Sequence, residues 1–161
     1  MEGDGGVEDV RNESSFVSFK QSTLESLKLQ VVPITGDGNC QYSAISYFVF
    51  DGDASLQMEV RRRIHKELCD NPERYIESFA ENADGDEDNF QDLINNVLTV
   101  GAYGNNITLF AASNSFQFDY GVICREHVIL SEQRFNRRVY FDFDGSGIGF
   151  DGHYCATCPA P

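Results

Sequence analysis

The sequence contains no run of about 18 consecutive apolar residues, so we expect no segment of it to span a membrane. Residues 1–6 combine glycine with acidic side chains and lack a hydrophobic stretch, so a secretory signal is not expected either. Basic residues are scarce, since 12 Lys and Arg stand against 26 Asp and Glu and give a net charge of −14. Because the phosphate backbone of nucleic acids repels such a surface, we expect a basic partner and no nucleic acid.

Cysteines are also few for a chain of 161 residues, and the five that occur are an odd number and widely scattered. This pattern argues against a disulfide framework and predicts free thiols in a reducing compartment. The expected location is therefore the cytoplasm, or the host cytosol if the protein is an effector. Cys155 and Cys158 form a single Cys-x-x-Cys pair, but zinc needs four ligands and no second pair lies nearby. We expect no metal and no cofactor.

The length of the chain fits one domain with a single core, and 41% apolar residues suffice to fill it. Residues 1–15 combine acidic residues, glycine and serine with little apolar content, which predicts a mobile N-terminal segment. Residues 16–161 are predicted to form the folded domain, and no internal repeat divides them. We expect this domain to be a monomer.

The hydrophobic periodicity predicts helices first and strands later. A short buried strand at 29–34 is followed by helical patterns that begin at Cys40, near Leu56, after Pro72, near Phe90 and at Ile107. The basic run 61–63 is predicted to lie on a solvated face of the second of these helices. From Phe118 onward apolar residues alternate, which predicts strands at 118–122, at 139–143 and around His153. This order indicates an α+β fold with a small, mostly antiparallel sheet packed between helices.

Cys40 is the strongest candidate for a reactive group. Gly36 and Gly38 let the backbone turn sharply before it, and Asn39 is placed as a helix cap, so Cys40 falls on the first turn of a helix. At such a position the helix dipole favours a thiolate over a thiol. The unpaired backbone N–H groups of Gly38, Asn39 and Cys40 could also stabilise a developing oxyanion.

Three histidines are available as the base that a thiol nucleophile needs. His65 lies on the basic face of a helix and His127 between two strands, whereas His153 follows a glycine in the last strand, far from Cys40 in sequence. On the residues alone, a buried cysteine in a helix is more often inert, and a glycine-rich loop is commonly only a tight turn. The pattern suggests a Cys40–His153 pair and leaves a structural role open.

Four segments, taken in order, match a known family. They are Asp37-Gly38-Asn39-Cys40 with Tyr42 and Ala44-Ile45 after it, the helix 90–98 with Gly101-Ala102-Tyr103-Gly104, the segment 107–123, and Gly152-His153-Tyr154. Together they resemble the ovarian-tumour (OTU) family of cysteine deubiquitinases. The resemblance extends from about Val31 to Tyr154.

This resemblance implies a papain-like cysteine protease fold of the OTU type, with residues 16–161 as the catalytic domain. It also implies that Cys40 is the nucleophile, His153 the general base and Asp37 the acidic member of the site. The reaction would be hydrolysis of the isopeptide bond at the C-terminus of ubiquitin through a thioester acyl-enzyme. Ubiquitin or polyubiquitin chains would be the partners.

The chain departs from the family pattern at several positions. Gln41 stands where Phe or Leu is usual, Tyr103 replaces a Trp, and Asn105-Asn106 follow soon after. The most important departure is Cys155, which occupies the place of the Asp or Asn that orients the histidine ring. A thiol is a poor hydrogen-bond acceptor for that purpose.

Three alternatives follow for the orientation of the ring. Asp151 lies two residues before His153 and shares its face in a strand, Asp37 is available from the loop, and a Cys–His dyad needs neither. Two other functions remain open, the first of them because of the departure at Cys155. One is a ubiquitin-binding module with little or no activity, and the other is a protease for a ubiquitin-like modifier.

Overall fold

The structure of the protein, a computed structural model, describes residues 18–82, 87–145 and 152–161, so the predicted N-terminal segment 1–15 and Asp151 lie outside the described residues. The helices are α1 (Phe19–Leu27), α2 (Cys40–Val49), α3 (Gln57–Asp70), α4 (Glu73–Asn82), α5 (Glu87–Val97) and α6 (Asn106–Phe116). The strands are β1 (Leu29–Val32), β2 (Asp119–Ile123), β3 (Val128–Leu130), β4 (Arg138–Asp144) and β5 (His153–Pro159). None of these described helices has both the length and the apolar character that crossing a membrane requires.

The five strands form one sheet in the order β1-β5-β4-β2-β3. β2 and β4 pair in parallel, whereas β1 with β5, β4 with β5 and β2 with β3 pair antiparallel. The α+β prediction with a mostly antiparallel sheet is confirmed. β5 lies between β1 and β4, and the first residue of β5, His153, is opposite Asp144 of β4.

The helix α2 packs against β5 and is buried along most of its length. It also packs against α3, where the apolar residues at four-residue spacing, Val60, Ile64 and Leu68, are completely buried, whereas Leu56 before the helix is 40% exposed. Because close-packed interiors leave no room for one element to shift against the next, the beginning of α2 has a fixed position over the sheet. That position places Cys40 beside the beginning of β5.

Two elements that the sequence did not predict are α1 and β3. Leu24 is the only buried residue that α1 contributes, so its sequence carries no apolar stripe that periodicity could detect. β3 has three residues and lies at an edge of the sheet. The predicted strand at 29–34 is shorter than expected, and the prediction that it is buried is wrong. Among the described strands β1 pairs with β5 alone, and its Val31 is 37% exposed.

Candidate active site

The loop before α2 is shaped by Asp37. Its side-chain Oδ1 accepts a hydrogen bond from the Asn39 N–H at 2.9 Å, and its backbone carbonyl accepts one from the Cys40 N–H at 3.2 Å. Gly38 is required here by a close approach, since a Cβ at that position would lie 1.6 Å from the carbonyl oxygen of Gly101. The loop therefore turns tightly against the segment between α5 and α6 and delivers Cys40 to the first turn of α2.

Cys40 is 2% exposed and lies between the two residues that flank His153. Its Sγ donates a hydrogen bond to the carbonyl oxygen of Gly152 at 3.5 Å and accepts one from the N–H of Tyr154 at 3.4 Å. The predicted nucleophile thus contacts the backbone on both sides of the predicted base, although 112 residues separate Cys40 from Gly152.

Burial raises the pKa of the Cys40 thiol above its ordinary value. The N–H groups of Tyr154 in β5 and of Gln41 in the first turn of α2 lower this pKa, but the charge of Asp37 raises it further. Burial outweighs the stabilisation that the sequence led us to expect. Cys40 is therefore a thiol in the resting site, and forming its thiolate requires a base.

The ring of His153 is held by a backbone carbonyl group. Its Nε2 lies 2.6 Å from the carbonyl oxygen of Ile34, and because a carbonyl only accepts, Nε2 carries the proton of this hydrogen bond. The neutral ring then leaves Nδ1 free to take a proton. The ring also lies beside Gly36, where a Cβ would be 3.6 Å from the ring atom Cε1.

Within the described part of the chain, no hydrogen bond joins the His153 ring to Cys40 Sγ. Hydrogen bonds between catalytic groups are often long in the absence of substrate and shorten when substrate binds. Neither of the aspartates predicted to orient the His153 ring is found in that role among the described residues. The Asp37 side chain bonds to Asn39, and Asp151 lies outside the described residues. Cys155 is close, with its Sγ 3.6 Å from His153 Nε2.

The other two histidines lie away from the nucleophile. His65 contacts Cys69 on α3, with ring nitrogens 3.7 and 3.8 Å from that sulfur. His127 lies between β2 and β3, where its carbonyl accepts a hydrogen bond from Cys124 N–H. Neither ring hydrogen-bonds to Cys40 among the described residues. His153 is the histidine whose two neighbours in the chain hydrogen-bond to Cys40 Sγ.

Asn39 occupies the N-cap position before α2, but its side chain makes no hydrogen bond that caps the helix. Its Oδ1 accepts hydrogen bonds from the Arg61 guanidinium at 2.7 Å and from the Gly101 N–H at 2.8 Å. The prediction that the run 61–63 is solvated is wrong for Arg61, which is fully buried. Arg61 follows the buried Val60 in the helix. A long side chain at this position can turn its charged end inward where hydrogen-bond acceptors are available.

The Arg61 guanidinium finds those acceptors on two loops. It donates to the carbonyl oxygens of Val97 at 2.8 Å and Ala102 at 3.0 Å as well as to Asn39, and it lies 3.9 Å above the ring centroid of Tyr42. One buried side chain therefore ties the loop of the nucleophile to the segment after α5.

Arg61→Met is expected to lower the free energy of unfolding by about 3 kcal/mol or more, because the carbonyls of Val97 and Ala102 lose their buried donor. Urea denaturation followed by circular dichroism measures this change. Arg62→Met is the matched control, since the Arg62 side chain is 61% exposed and its loss should cost less than about 0.5 kcal/mol. Equal losses for the two variants would contradict the structural role of Arg61.

Gln41, a departure from the family pattern, is accommodated by two of its neighbours. It is 1% exposed, its Nε2 donates to the carbonyl oxygen of Asn105 at 2.9 Å, and its Oε1 accepts from the Thr108 hydroxyl at 2.7 Å. Gly104 leaves the space, since a Cβ there would be 2.1 Å from Gln41 Oε1. The buried amide is thus satisfied by residues at the beginning of α6.

Cys155→Ala is expected to leave kcat/KM within about threefold of the unaltered protein, because the Ile34 carbonyl already accepts the hydrogen bond from Nε2 and a thiol adds little as an acceptor. Initial rates on a fluorogenic ubiquitin substrate measure this, with Cys158→Ala as the control on the same strand. A loss as large as that caused by removing the His153 imidazole, in a folded variant, would give Cys155 a part in the reaction.

The described residues contain no cluster of three or more His, Cys, Asp or Glu side chains that could hold a metal ion. All five cysteines are free thiols in the structure. Cys155 and Cys158 thus have no further metal-ligand partners in the part of the chain that the structure describes.

Comparison with known proteins adds an independent line of evidence. Residues 31–92 match the family described as "Vertnin, OTU domain". The "OVARIAN TUMOR DOMAIN-containing deubiquitinating enzyme 10" of Arabidopsis thaliana is 28% identical over 129 residues, which cover 76% of this chain and 34% of that protein. The chain therefore spans about a third of the length of this relative.

Solved structures resemble the chain over most of its length. The OTU domain of OTUD1 superposes with a TM-score of 0.65 at 21% identity, covering 86% of this chain and 92% of that one. An OTU domain in complex with ubiquitin gives a TM-score of 0.61 at 20% identity and covers 80% of this chain and 69% of that one. The Hazara virus OTU bound to ubiquitin gives 0.62 at 13%, covering 84% of each chain. At these identities the likeness shows a shared fold.

Proposed function

We propose that this chain, which has the fold of an OTU domain, is a cysteine deubiquitinase that hydrolyses the isopeptide bond at the C-terminus of ubiquitin. The observation that carries the proposal is the position of Cys40 Sγ, 3.5 Å from the Gly152 carbonyl oxygen and 3.4 Å from the Tyr154 N–H, on either side of His153. The named relatives support ubiquitin as the partner, since one is a deubiquitinating enzyme and two are structures with ubiquitin.

In the first half of the reaction, His153 Nδ1 takes the proton of the Cys40 thiol as the sulfur attacks the isopeptide carbonyl. The hydrogen bond from Nε2–H to the Ile34 carbonyl keeps Nδ1 available and stabilises the imidazolium that forms. The imidazolium then protonates the leaving lysine amine. The C–N bond breaks, and the ubiquitin C-terminus remains on Cys40 as a thioester.

Of the three predicted oxyanion donors, Asn39 N–H is engaged by the Asp37 side chain. The Cys40 N–H makes a bond of 3.2 Å to the Asp37 carbonyl, which is at the long end of the normal range. We therefore assign the Cys40 N–H as the donor that can be shared with the oxyanion, with Gly38 N–H beside it. In the second half of the reaction His153 activates water, which cleaves the thioester and restores the thiol.

Ubiquitin carrying an electrophile at its C-terminus tests the proposal. We expect one adduct on Cys40, identified by intact mass and peptide mapping, and none in Cys40→Ala. Cys124→Ala is the matched control, since Cys124 is also buried and burial also raises its pKa. A folded protein that forms no adduct would contradict the proposal. Cleavage of a panel of diubiquitins then gives the linkage preference.

A ubiquitin-binding module without turnover is the second candidate function, and Cys155 is the observation that favours it. In that case the protein would bind ubiquitin in calorimetry and form no adduct with the electrophile. The same probe made from ubiquitin-like modifiers tests the third candidate, a protease for one of them. An adduct with such a modifier and none with ubiquitin would reassign the substrate.

We propose that the protein works in a reducing compartment, the cytoplasm. The support is chemical, since the reaction needs Cys40 as a thiol and all five cysteines are free. Fractionation of cells that produce the protein tests the proposal. Recovery in an oxidising compartment would contradict it.

A further inference from the structure

Two carboxylates of β4 share a face of the sheet with His153. In the antiparallel ladder, Asp144 is opposite His153 and Asp142 is opposite Cys155. Residues two apart in a strand point to the same side, so all four side chains belong to one face. The distance of 3.6 Å between Cys155 Sγ and His153 Nε2 agrees with this arrangement. Asp142 is thus the diagonal neighbour of His153, at a spacing of about 7–8 Å.

Asp142 is the better sheltered of these carboxylates. Its side chain is 13% exposed, and its Oδ1 is buried and receives no directed hydrogen bond in the described part of the chain. The nearest cation is Lys20 of α1, whose Nζ lies 3.1 Å from that oxygen but donates its hydrogen bond to the Phe143 carbonyl at 2.9 Å. The charge of Asp142 is therefore weakly screened by solvent and balanced by one lysine.

The charges of Asp142 and Lys20 both act close to the His153 ring. Burial raises the pKa of the Cys155 thiol, the negative charge of Asp142 raises it further, and the positive charge of Lys20 lowers it. Cys155 lies between this ion pair and His153 Nε2. A charge that acts on Cys155 also acts on a ring 3.6 Å beyond the sulfur, because Coulomb interactions fall off slowly at partly buried sites.

We propose that Asp142 is a positioning residue that supplies, from the neighbouring strand, the negative charge that Cys155 cannot give to the His153 imidazolium, and that Lys20 tunes it. The inference rests on the proposed function only in that it takes His153 as the general base. It assigns α1 a part in the site, because Lys20 is carried by that helix.

Other charged groups face the site and must be separated from Asp142. Asp144 is opposite His153, but its side chain is 66% exposed and lies 3.8 Å from Arg125. Asp37 faces Cys40 from the loop, and its carboxylate is engaged by Asn39 N–H. Asp144 is therefore the matched control. It is on the same strand and the same face and has the same charge, but it is screened by water and a cation.

The test is an NMR titration of the His153 Cε1–H resonance, assigned by its loss in His153→Gln. Asp142→Asn should lower the midpoint by about half a unit to one unit of pH, since removing a nearby anion disfavours the imidazolium. Lys20→Met should raise it by a similar amount, and the double variant should return it to near the original value. A purely structural role for the pair would not produce shifts of opposite sign.

Asp144→Asn should shift the midpoint by less than half as much as Asp142→Asn. A shift as large as that of Asp142→Asn would assign the charge to Asp144 and overturn the proposal, as would the absence of any shift in both folded Asp142 and Lys20 variants. Where ubiquitin is hydrolysed, the acidic limb of kcat/KM should move in the same directions. The titration needs no turnover, so a failure of the proposed function leaves this test intact.

Discussion

Replacement of Cys40 by alanine is expected to reduce the cleavage of diubiquitin to the rate measured without enzyme. The variant has no atom at this position that can form the thioester, and the thiol of Cys155, 3.6 Å from His153 Nε2, has a pKa that burial raises. Cleavage is measured by gel densitometry over hours at high enzyme concentration. We expect this loss of activity to be the largest that any single substitution causes. Without the thiol, neither the attack on the isopeptide carbonyl nor the formation of the thioester can occur.

The fold of the Cys40→Ala variant should persist. The substitution removes one sulfur and leaves the Tyr154 N–H without its partner, at a cost of about 1–2 kcal/mol. Ubiquitin should therefore still bind, and calorimetry should give a Kd within a few fold of the original. Cys124→Ala, which removes another buried thiol, should retain cleavage. If Cys40→Ala hydrolysed diubiquitin at the original rate, Cys40 would not be the nucleophile.

The sequence was most informative where backbone geometry and chemistry coincide. The glycines before Cys40 permit one tight turn, and the structure uses Gly38 for the close approach to Gly101 that this turn requires. A strand around His153 was predicted after the alternating strands that precede it, and the sheet places that strand next to α2. Local patterns of this kind can be recognised because each depends on a few neighbouring residues.

The remaining features depend on contacts between distant segments. The Ile34 carbonyl that holds His153 is a backbone group, so no residue type in the sequence marks it. The burial of Arg61 depends on the acceptors of Val97 and Ala102, which lie more than 35 residues away. The pairing of Asp142 with Cys155 depends on the register of β4 against β5, which periodicity does not specify.

Gln41 gives a further example of a residue that cannot be judged alone. As a departure from an apolar position, a buried amide should be unfavourable unless it is hydrogen-bonded. Its partners, the Asn105 carbonyl and the Thr108 hydroxyl, come from the beginning of α6, close to a second departure from the family pattern. Because the Asn105 acceptor is a backbone carbonyl that any residue would supply, Gln41 depends on where α6 begins and not on the residue type at position 105.

His153→Gln is the second substitution with a large expected effect, a loss of about 10³-fold in kcat/KM at neutral pH. Glutamine can still hydrogen-bond to the Ile34 carbonyl but cannot take a proton from Cys40. Since burial holds the pKa of Cys40 above its ordinary value, almost no thiolate forms near pH 7 without the imidazole. Hydrolysis of a fluorogenic ubiquitin substrate from pH 5 to 10 measures the effect, with His65→Gln and His127→Gln as controls that should stay within about twofold.

The shape of the pH profile separates a base from a merely structural histidine. In the unaltered protein, kcat/KM should rise through an acidic limb whose apparent pKa values belong to the Cys40–His153 pair and then reach a plateau. In His153→Gln, thiolate can arise only by ionisation of the buried thiol, whose pKa is raised, so the residual rate should increase about tenfold per pH unit through neutral pH without a plateau. A plateau at the same pH in His153→Gln, with only the amplitude reduced, would mean that another group deprotonates Cys40. A comparable loss in His65→Gln or His127→Gln, with the fold intact, would move the base to that residue.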